Sequence, residues 1–508
     1  MEQKLLLIRA KHGLLRGFTL LEHYFHIEFD PERTLQDQIR EFLVNLILSG
    51  GLPLDEPLPS SRNLSQKLGV SRNTIVLIYE SLVDSGFIEP RPRKGFFIAQ
   101  NYRIPETIST DLVRKSANAS PSWSSRFQKQ PSNDQNIVKP YDWQKFEYPF
   151  IYGQIQREFF PLEQWRDSVR KSMSGRWNKY WINDMVDSDD PLLIEQIRTR
   201  LLPRRGIYVE ANEILITIGT QNSLYLLANL LCNDRTRVAM ENPGFRDALN
   251  IFSLFDSHIH KQPVDQNGIV VDEKLHACDY LYVTPSTQVP TGVELSKSRR
   301  KALLNMSVKE DFVIIEDDYD AEINIKISPQ PALKALDKNN RVIYIGSMSK
   351  SISPGLRIGF MVADEELISE VRALRRLMYR HPPVNIQRQL SLFLSLGYYD
   401  AYLRKLRIIN SSKLQRMTDA VNLHLPQMNT TNNVSKGATS VWLQASKDVN
   451  TEEVAWLAAR NSILIEPGAV HFTDDNPPKN FFRLGFSAIE THKIEPGIAA
   501  LKDVFAHF

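Results

Sequence analysis

The sequence predicts an α/β protein in two parts. A small N-terminal helical domain closed by a hairpin precedes a larger domain with a mostly parallel sheet and a smaller α+β lobe at its C-terminal end. Three observations carry this. Short apolar stretches, "EILITI", "RVAMEN", "YLYVTP", "DFVIIEDD" and "RVIYIGS", alternate with helix-like segments, the pattern of a parallel sheet covered by helices. Two short helical patterns separated by "LGV" precede "GFIEPRPRKGFFIA", which reads as two strands around a turn. Between Gln100 and Val138, Ser, Asn, Gln, Pro and Lys dominate, a linker composition.

Residues 1–29 follow no clear pattern. From Thr34 a helical periodicity places Leu35, Ile39, Phe42, Leu43, Leu46 and Ile47 on one face, and "SGGLPL" ends it. A second helix over about 61–68 is capped by Ser60 or Ser61, and a third runs from Ser71 to about Asp84. These bounds give a domain at 30–99, a linker at 100–140 and a second domain at 141–508. Its large lobe spans about 185–380 and its small lobe about 390–508, where long helices give way to "SVWLQA", "SILIEPG" and "FFRLGFS". At 508 residues the chain exceeds one ordinary domain.

Composition narrows the function classes. No apolar run approaches the roughly 20 residues of a membrane span, and no signal-peptide core is present. Cys232 and Cys278 sit in apolar surroundings and read as reduced thiols, not a disulfide framework. No metal site is assigned. The expectation is a soluble cytoplasmic protein without a membrane partner.

The 60–95 region has the parts of a winged helix-turn-helix. Ser71 caps the third helix, Ile75, Ile78 or Tyr79, and Leu82 point inward, and Arg72, Asn73 and Thr74 stand at its exposed start. A recognition helix offers such residues to the major groove, where Arg and Asn bond base edges bidentately. Arg91, Arg93, Lys94 and Gly95 form a wing for phosphates, and Arg62 extends the basic face. Residues 30–98 hold eight Lys/Arg against nine Asp/Glu, so the domain is not basic overall. Its cations concentrate where docking needs them. The expected partner is double-stranded DNA.

In the larger domain, ligands are expected beyond the carboxyl ends of the strands. There the sequence places Gly219, Thr220 and Gln221 at a helix start, a phosphate cradle, and Phe245, a ring able to stack on a heteroaromatic. Asp317 and Tyr319 follow one strand; Ser347, Lys350 and Arg357 follow another. Together they supply what pyridoxal 5'-phosphate requires. Lys350 forms the Schiff base, Asp317 keeps the ring nitrogen protonated, and Tyr319 bonds the phenolate oxygen. Ser347, Arg357 and the 219–221 turn hold the phosphate.

"LPSSRNLSQKLGVSRNT" resembles the GntR-type winged helix, and residues of about 145–500 resemble the fold-type I aminotransferases. Jointly, with "TPSTQVPTG", "IEDDYDAE" and "GSMSKSISPGLRIGF", the chain is similar to the MocR/GabR family of transcriptional regulators. "FIYGQ", "LLPRRGI" and "RRLMYRHPPVNIQRQ" resemble its taurine- and ectoine-utilisation branch. The resemblance implies a PLP-dependent regulator that senses an amine or amino acid as an external aldimine on Lys350, with Arg483 gripping the effector's carboxylate. It also implies a head-to-tail homodimer reading two half-sites. The alternatives are an active aminotransferase with a fused DNA-binding module and a sensor of PLP itself.

Three departures stand out. Thr287 replaces a histidine and Phe245 a tyrosine. "YWINDMVDSDDPLL" replaces a glycine-rich segment, with Leu193 where an arginine is expected, and is a candidate wall of the effector pocket. In addition, Val289 stands where catalytic relatives carry Asn, which favours sensing over turnover. The helix with Arg372, Arg375, Arg376 and Arg380 reads as a solvated face.

Overall fold

The computed structural model describes residues 27–99, 122–323, 330–430 and 439–508, apart from 28, 50, 51, 53 and 349. It divides into two compact units, Met1–Arg126 and Phe127–Phe508. Residues 1–26 lie outside the described residues.

In the first unit, α1 (Leu35–Leu48), α2 (Ser61–Leu68) and α3 (Arg72–Asp84) precede the hairpin β1 (Ile88–Arg91) and β2 (Gly95–Ile98). Hydroxyls set the helix starts. Thr34 accepts from the Asp37 amide, Ser60 from Asn63 and Ser71 from Thr74, each satisfying an otherwise orphaned N–H. Gly69 (φ +67°) ends α2 in the left-handed region, which turns the chain into α3. Ile39, Leu43, Leu64, Ile75, Ile78 and Leu82 make a fully buried core. Ile78 and Tyr79 are both inside, because the Tyr79 hydroxyl finds the Pro59 carbonyl at 2.7 Å and its ring meets Phe96 edge-on. This is a winged helix-turn-helix.

The second unit is built on one sheet. Its strands are β3 (Ile214–Thr217), β4 (Arg237–Asn242), β5 (His258–Asp265), β6 (Gly268–Ile269), β7 (Tyr280–Val283), β8 (Val313–Asp318), β9 (Val342–Ser347) and β10 (Gly359–Val362). They lie in the order β3-β10-β9-β8-β7-β4-β5-β6. The β9-β8-β7-β4-β5 run is parallel, while β10 is antiparallel to both its neighbours and β6 to β5. β5 and β10 were not among the expected strands. β5 is largely exposed, so it lacks an apolar signature, and β10 is only four residues of "GFMV". Helices α4 (Thr220–Leu231), α5 (Arg246–Leu254) and α6 (Glu365–Tyr379) cover the sheet. After α7 (Val384–Ser395) and α8 (Tyr398–His424) comes a small lobe with strands β11 (Ser440–Gln444), β12 (Glu466–Pro467) and β13 (Phe481–Gly485), where Leu443 and Phe482 are buried in one core with Phe150 and Ile498.

The basic helix is a solvated face only at Arg376 and Arg380. Arg375 is fully buried and donates to Asp189 Oδ1 (2.7 Å) and the Ile216 carbonyl (2.6 Å), while Arg372 reaches Asp189 Oδ2 at 3.0 Å. Arg388 on α7 pairs with buried Asp190 at 2.6 Å. The "NDMVDSDD" segment is therefore an anion brace for α6 and α7, and the charge alternation that looked solvent-facing is half of an internal ion-pair network. Leu193 is core. Among the described residues no helix is long and apolar enough to cross a membrane.

Candidate functional site

The sheet's carboxyl edge opens into a cavity of about 480 Å³. Of the residues singled out from sequence, Thr220, Gln221, Phe245, Asp317, Tyr319, Ser347, Lys350, Arg357 and Arg483 all line it. Gly219 sits immediately behind, as the N-cap of α4 at φ +98°. A Cβ there would stand 2.8 Å from Arg357 Nη2. Glycine thus serves twice at this position, allowing the backbone twist and letting the guanidinium lie against the helix start. Arg357 Nη2 also donates to the Ile218 carbonyl at 3.2 Å. A guanidinium and the unpaired amides of a helix N-terminus converge there, which is how proteins bind phosphate.

Asp317 lies on β8, facing the cavity, and is 2% exposed. The Tyr282 hydroxyl on β7 donates to its Oδ2 at 2.8 Å, while its Oδ1 has no hydrogen-bond partner among the described residues. Burial pushes its pKa up to about 7, despite the Tyr282 bond and nearby Lys350. A buried carboxylate with one oxygen unsatisfied fits a cationic N–H donor, and the pyridinium of pyridoxal phosphate is one. Asp318 points the opposite way, into an ion pair with Arg205 at 2.7 Å and a bond from Tyr344. The alternation of a strand separates the two roles.

Lys350 follows β9. Its Nζ lies 3.7 Å from the Tyr319 ring centroid, 4.0 Å from that of Tyr152 and 3.9 Å from Asp320 Oδ1, and it bonds the Tyr152 hydroxyl. Burial lowers its pKa to about 7 against the pull of Asp320. This shift favours the unprotonated, nucleophilic amine relative to an ordinary lysine. The Tyr319 hydroxyl donates to the Thr287 carbonyl at 2.7 Å. Phe245 packs with Tyr152, Val289 and Tyr319 as one apolar wall.

Sequence reasoning missed several lining residues. Tyr152 is buried and sits between Lys350 and Arg483, whose guanidinium stacks 4.0 Å over its ring. Its hydroxyl also meets Asp320 at 3.2 Å. The "FIYGQ" motif was noted, but no local signal ties Tyr152 to a lysine 198 residues away. Arg483 on β13 is 2% exposed and paired with Glu466 on β12 at 2.5 Å. Burial would raise the Glu466 pKa, but Arg483 and His471 override it and bring it down to about 2. Lys139 and Ile137 also line the cavity. The "YWINDMVDSDDPLL" segment does not, among the described residues.

In the first unit, Ser71, Arg72 and Asn73 are exposed at the start of α3 and Thr74 is half-buried there. Arg72 Nε reaches Ser61 at 3.4 Å. Arg62, Arg93, Lys94 and Gly95 are exposed. Arg91 is held in the wing by Glu89 at 2.9 Å and by the Phe97 ring at 4.2 Å.

Residues 35–98 match bacterial regulatory proteins, gntR family, and residues 155–501 match aminotransferase class I and II. The chain is 36% identical over 471 residues to the HTH-type transcriptional regulator TauR of Rhodobacter capsulatus, covering 92% of this chain and 96% of the relative. It is 28% identical to the probable rhizopine catabolism regulatory protein MocR of Rhizobium meliloti, covering 94% and 95%. Among solved structures, an archaeal alanine:glyoxylate aminotransferase is 27% identical at a TM-score of 0.66, covering 70% of this chain and 89% of that one.

Proposed function

The chain belongs to the family of HTH-type transcriptional regulators that join a gntR-family DNA-binding domain to an aminotransferase class I and II domain, and from that premise we propose that its cavity holds pyridoxal 5'-phosphate and senses an amine. The observation that carries this is the presence in one cavity of Lys350 and the unsatisfied Asp317 Oδ1. The cofactor supplies an aldehyde that condenses reversibly with primary amines. Lys350 would anchor it, Asp317 would hold the ring-nitrogen proton, and Phe245 would pack on the ring face. Thr220, Gln221, Ser347 and Arg357, with Gly219 behind them, would hold the phosphate. Tyr319 would orient toward the phenolic oxygen, and Arg483 is the candidate partner of an effector carboxylate.

On the DNA side, Arg72, Asn73 and Thr74 read base edges, with Ser71 as the cap that aims them. Arg62, Arg91, Arg93, Lys94 and the Gly95 turn serve the phosphates. An apolar surface of Tyr225, Ile251, Met378 and Ile386 beside Arg357 supports assembly as a homodimer, which would span two half-sites in the bacterial cytoplasm. Regulation follows if the amine-bound cavity favours one domain arrangement over another.

The test is a titration of the purified protein with pyridoxal phosphate and then with amines, reading the cofactor's visible absorbance and operator affinity together. A Lys350→Ala protein that retains the wild-type band would overturn the assignment. The near-neutral pKa of Lys350 also suits proton transfer, which favours transaminase turnover as a second reading. Keto acid released over many turnovers, with DNA affinity unchanged, would select it.

A further inference from the structure

The strand-edge cavity has a wall the sheet does not supply. Residues 129–139, near the start of the second unit, lie along α5. Lys129 pairs with Asp256 at 3.3 Å, and the Gln135 carbonyl accepts from Asn250 (2.8 Å) and Arg246 (3.2 Å). This anchoring carries Ile137 and Lys139 to the cavity. Lys139 Nζ donates to the Tyr152 carbonyl and lies 5.8 Å from that ring's centroid.

The charges facing it decide its role. Arg483 is already compensated by Glu466 at 2.5 Å, and burial holds His471, which touches the same carboxylate, toward its neutral form. Asp247 lies nearby and is bonded by Gln221 at 2.5 Å, with its own pKa raised by burial. Lys350 is the cofactor's anchor. Among the described residues no carboxylate pairs with Lys139 itself. Arg483 and Glu466 offset one another as a contact pair, and Lys139 adds an ammonium on which Glu466 and Asp247 act only through space. A monoanion there would replace the partial compensation Lys139 draws from a backbone carbonyl.

We propose that Lys139 is the specificity-determining residue of the effector pocket, acting beside Arg483 to select amines that also carry a carboxylate or sulfonate. This rests on the cavity being the cofactor and amine site. Burial lowers the Lys139 pKa, and an anion beside it would favour the charged ammonium.

The experiment uses the full-length, pyridoxal phosphate-loaded protein and follows the cofactor band during titration with β-alanine, 2-aminoethanesulfonate and ethanolamine. These are equally short amines ending in a carboxylate, a sulfonate and a neutral hydroxyl. The wild type is expected to bind one or both anionic amines more tightly than ethanolamine, and the pair of anions identifies the headgroup. Lys139→Met should keep the cofactor band, lose about 10- to 100-fold in anion affinity, the range of a charged hydrogen bond, and leave ethanolamine unchanged. Lys139→Arg should stay within about threefold of wild type. Unchanged anion affinity in Lys139→Met, or ethanolamine binding the wild type as tightly as both anions, overturns the proposal. A wild type that forms no cofactor band fails earlier, and then the cofactor reading itself is wrong.

Discussion

Replacing Asp317 with Asn should stabilise the cofactor-free protein at alkaline pH while weakening its grip on the cofactor. Burial lifts the Asp317 pKa from an ordinary 3.8 to about 7. A folded-state pKa above the unfolded one means the native state binds the proton more tightly, so stability falls as pH rises from about 4 to about 7 and is flat beyond. Three pKa units at 1.36 kcal/mol each put the cost of the bare carboxylate near 4 kcal/mol at pH 8, and less than half of that at pH 5. Asn removes this cost. It still accepts from Tyr282 through its oxygen but leaves a buried amide unpaired, a loss of about 1–3 kcal/mol that does not vary with pH. The mutant-minus-wild-type difference should therefore grow in the mutant's favour by about 2–3 kcal/mol between pH 5 and pH 8. Differencing largely removes Glu241 and Glu316, which titrate in the same window, whereas Lys350, whose charge acts on Asp317, remains part of the difference. Urea unfolding of both cofactor-free proteins at the two pH values measures it. Holo Asp317→Asn should lose pyridoxal phosphate faster on dialysis, since a neutral amide cannot hold the ring-nitrogen proton. A pH-independent difference with undiminished cofactor retention would refute the argument that Asp317 is a strained carboxylate awaiting a cation.

Three further outcomes can be checked. Gly219→Ala forces a Cβ against Arg357 at a backbone angle alanine avoids, so equilibrium dialysis should show pyridoxal phosphate affinity down at least tenfold with the winged helix intact. Arg72→Ala should cost about 1–3 kcal/mol on the operator and little on unrelated DNA, whereas Lys94→Ala should weaken both alike and lower the salt slope by about one. Arg375→Met strands Asp189 beside half-exposed Arg372 and should destabilise the second domain by about 3–5 kcal/mol in a melting curve, without touching DNA affinity of the folded protein.

Much of the site was legible because its residues recur at strand ends. Asp317, Lys350 and the 219–221 turn each follow an apolar run, and the topology of a parallel sheet brings such ends to one edge. The helix starts of the first domain were legible for a similar reason, a hydroxyl three residues ahead of the amide it caps. Long-range pairings were not. Glu466 meets Arg483 because β12 and β13 pair in the small lobe, and Tyr152 reaches Lys350 from a stretch with no periodic signal. The reading of the basic helix failed at Arg372 and Arg375 for a specific reason. Their spacing is compatible with solvent, and only the fold shows Asp189 waiting beneath them. Lys139 was hidden differently, inside polar composition that normally marks an unstructured spacer.

A chimaera that grafts another DNA-reading module onto the second unit would naturally be joined at residue 140, where the polar stretch ends. Such a splice would cut away Lys129, Gln135, Ile137 and Lys139, and so discard part of the cavity wall along with the tether. The usable junction lies upstream of Lys129. A fusion made there keeps the cavity whole, and one made downstream would lose the wall that Ile137 and Lys139 supply.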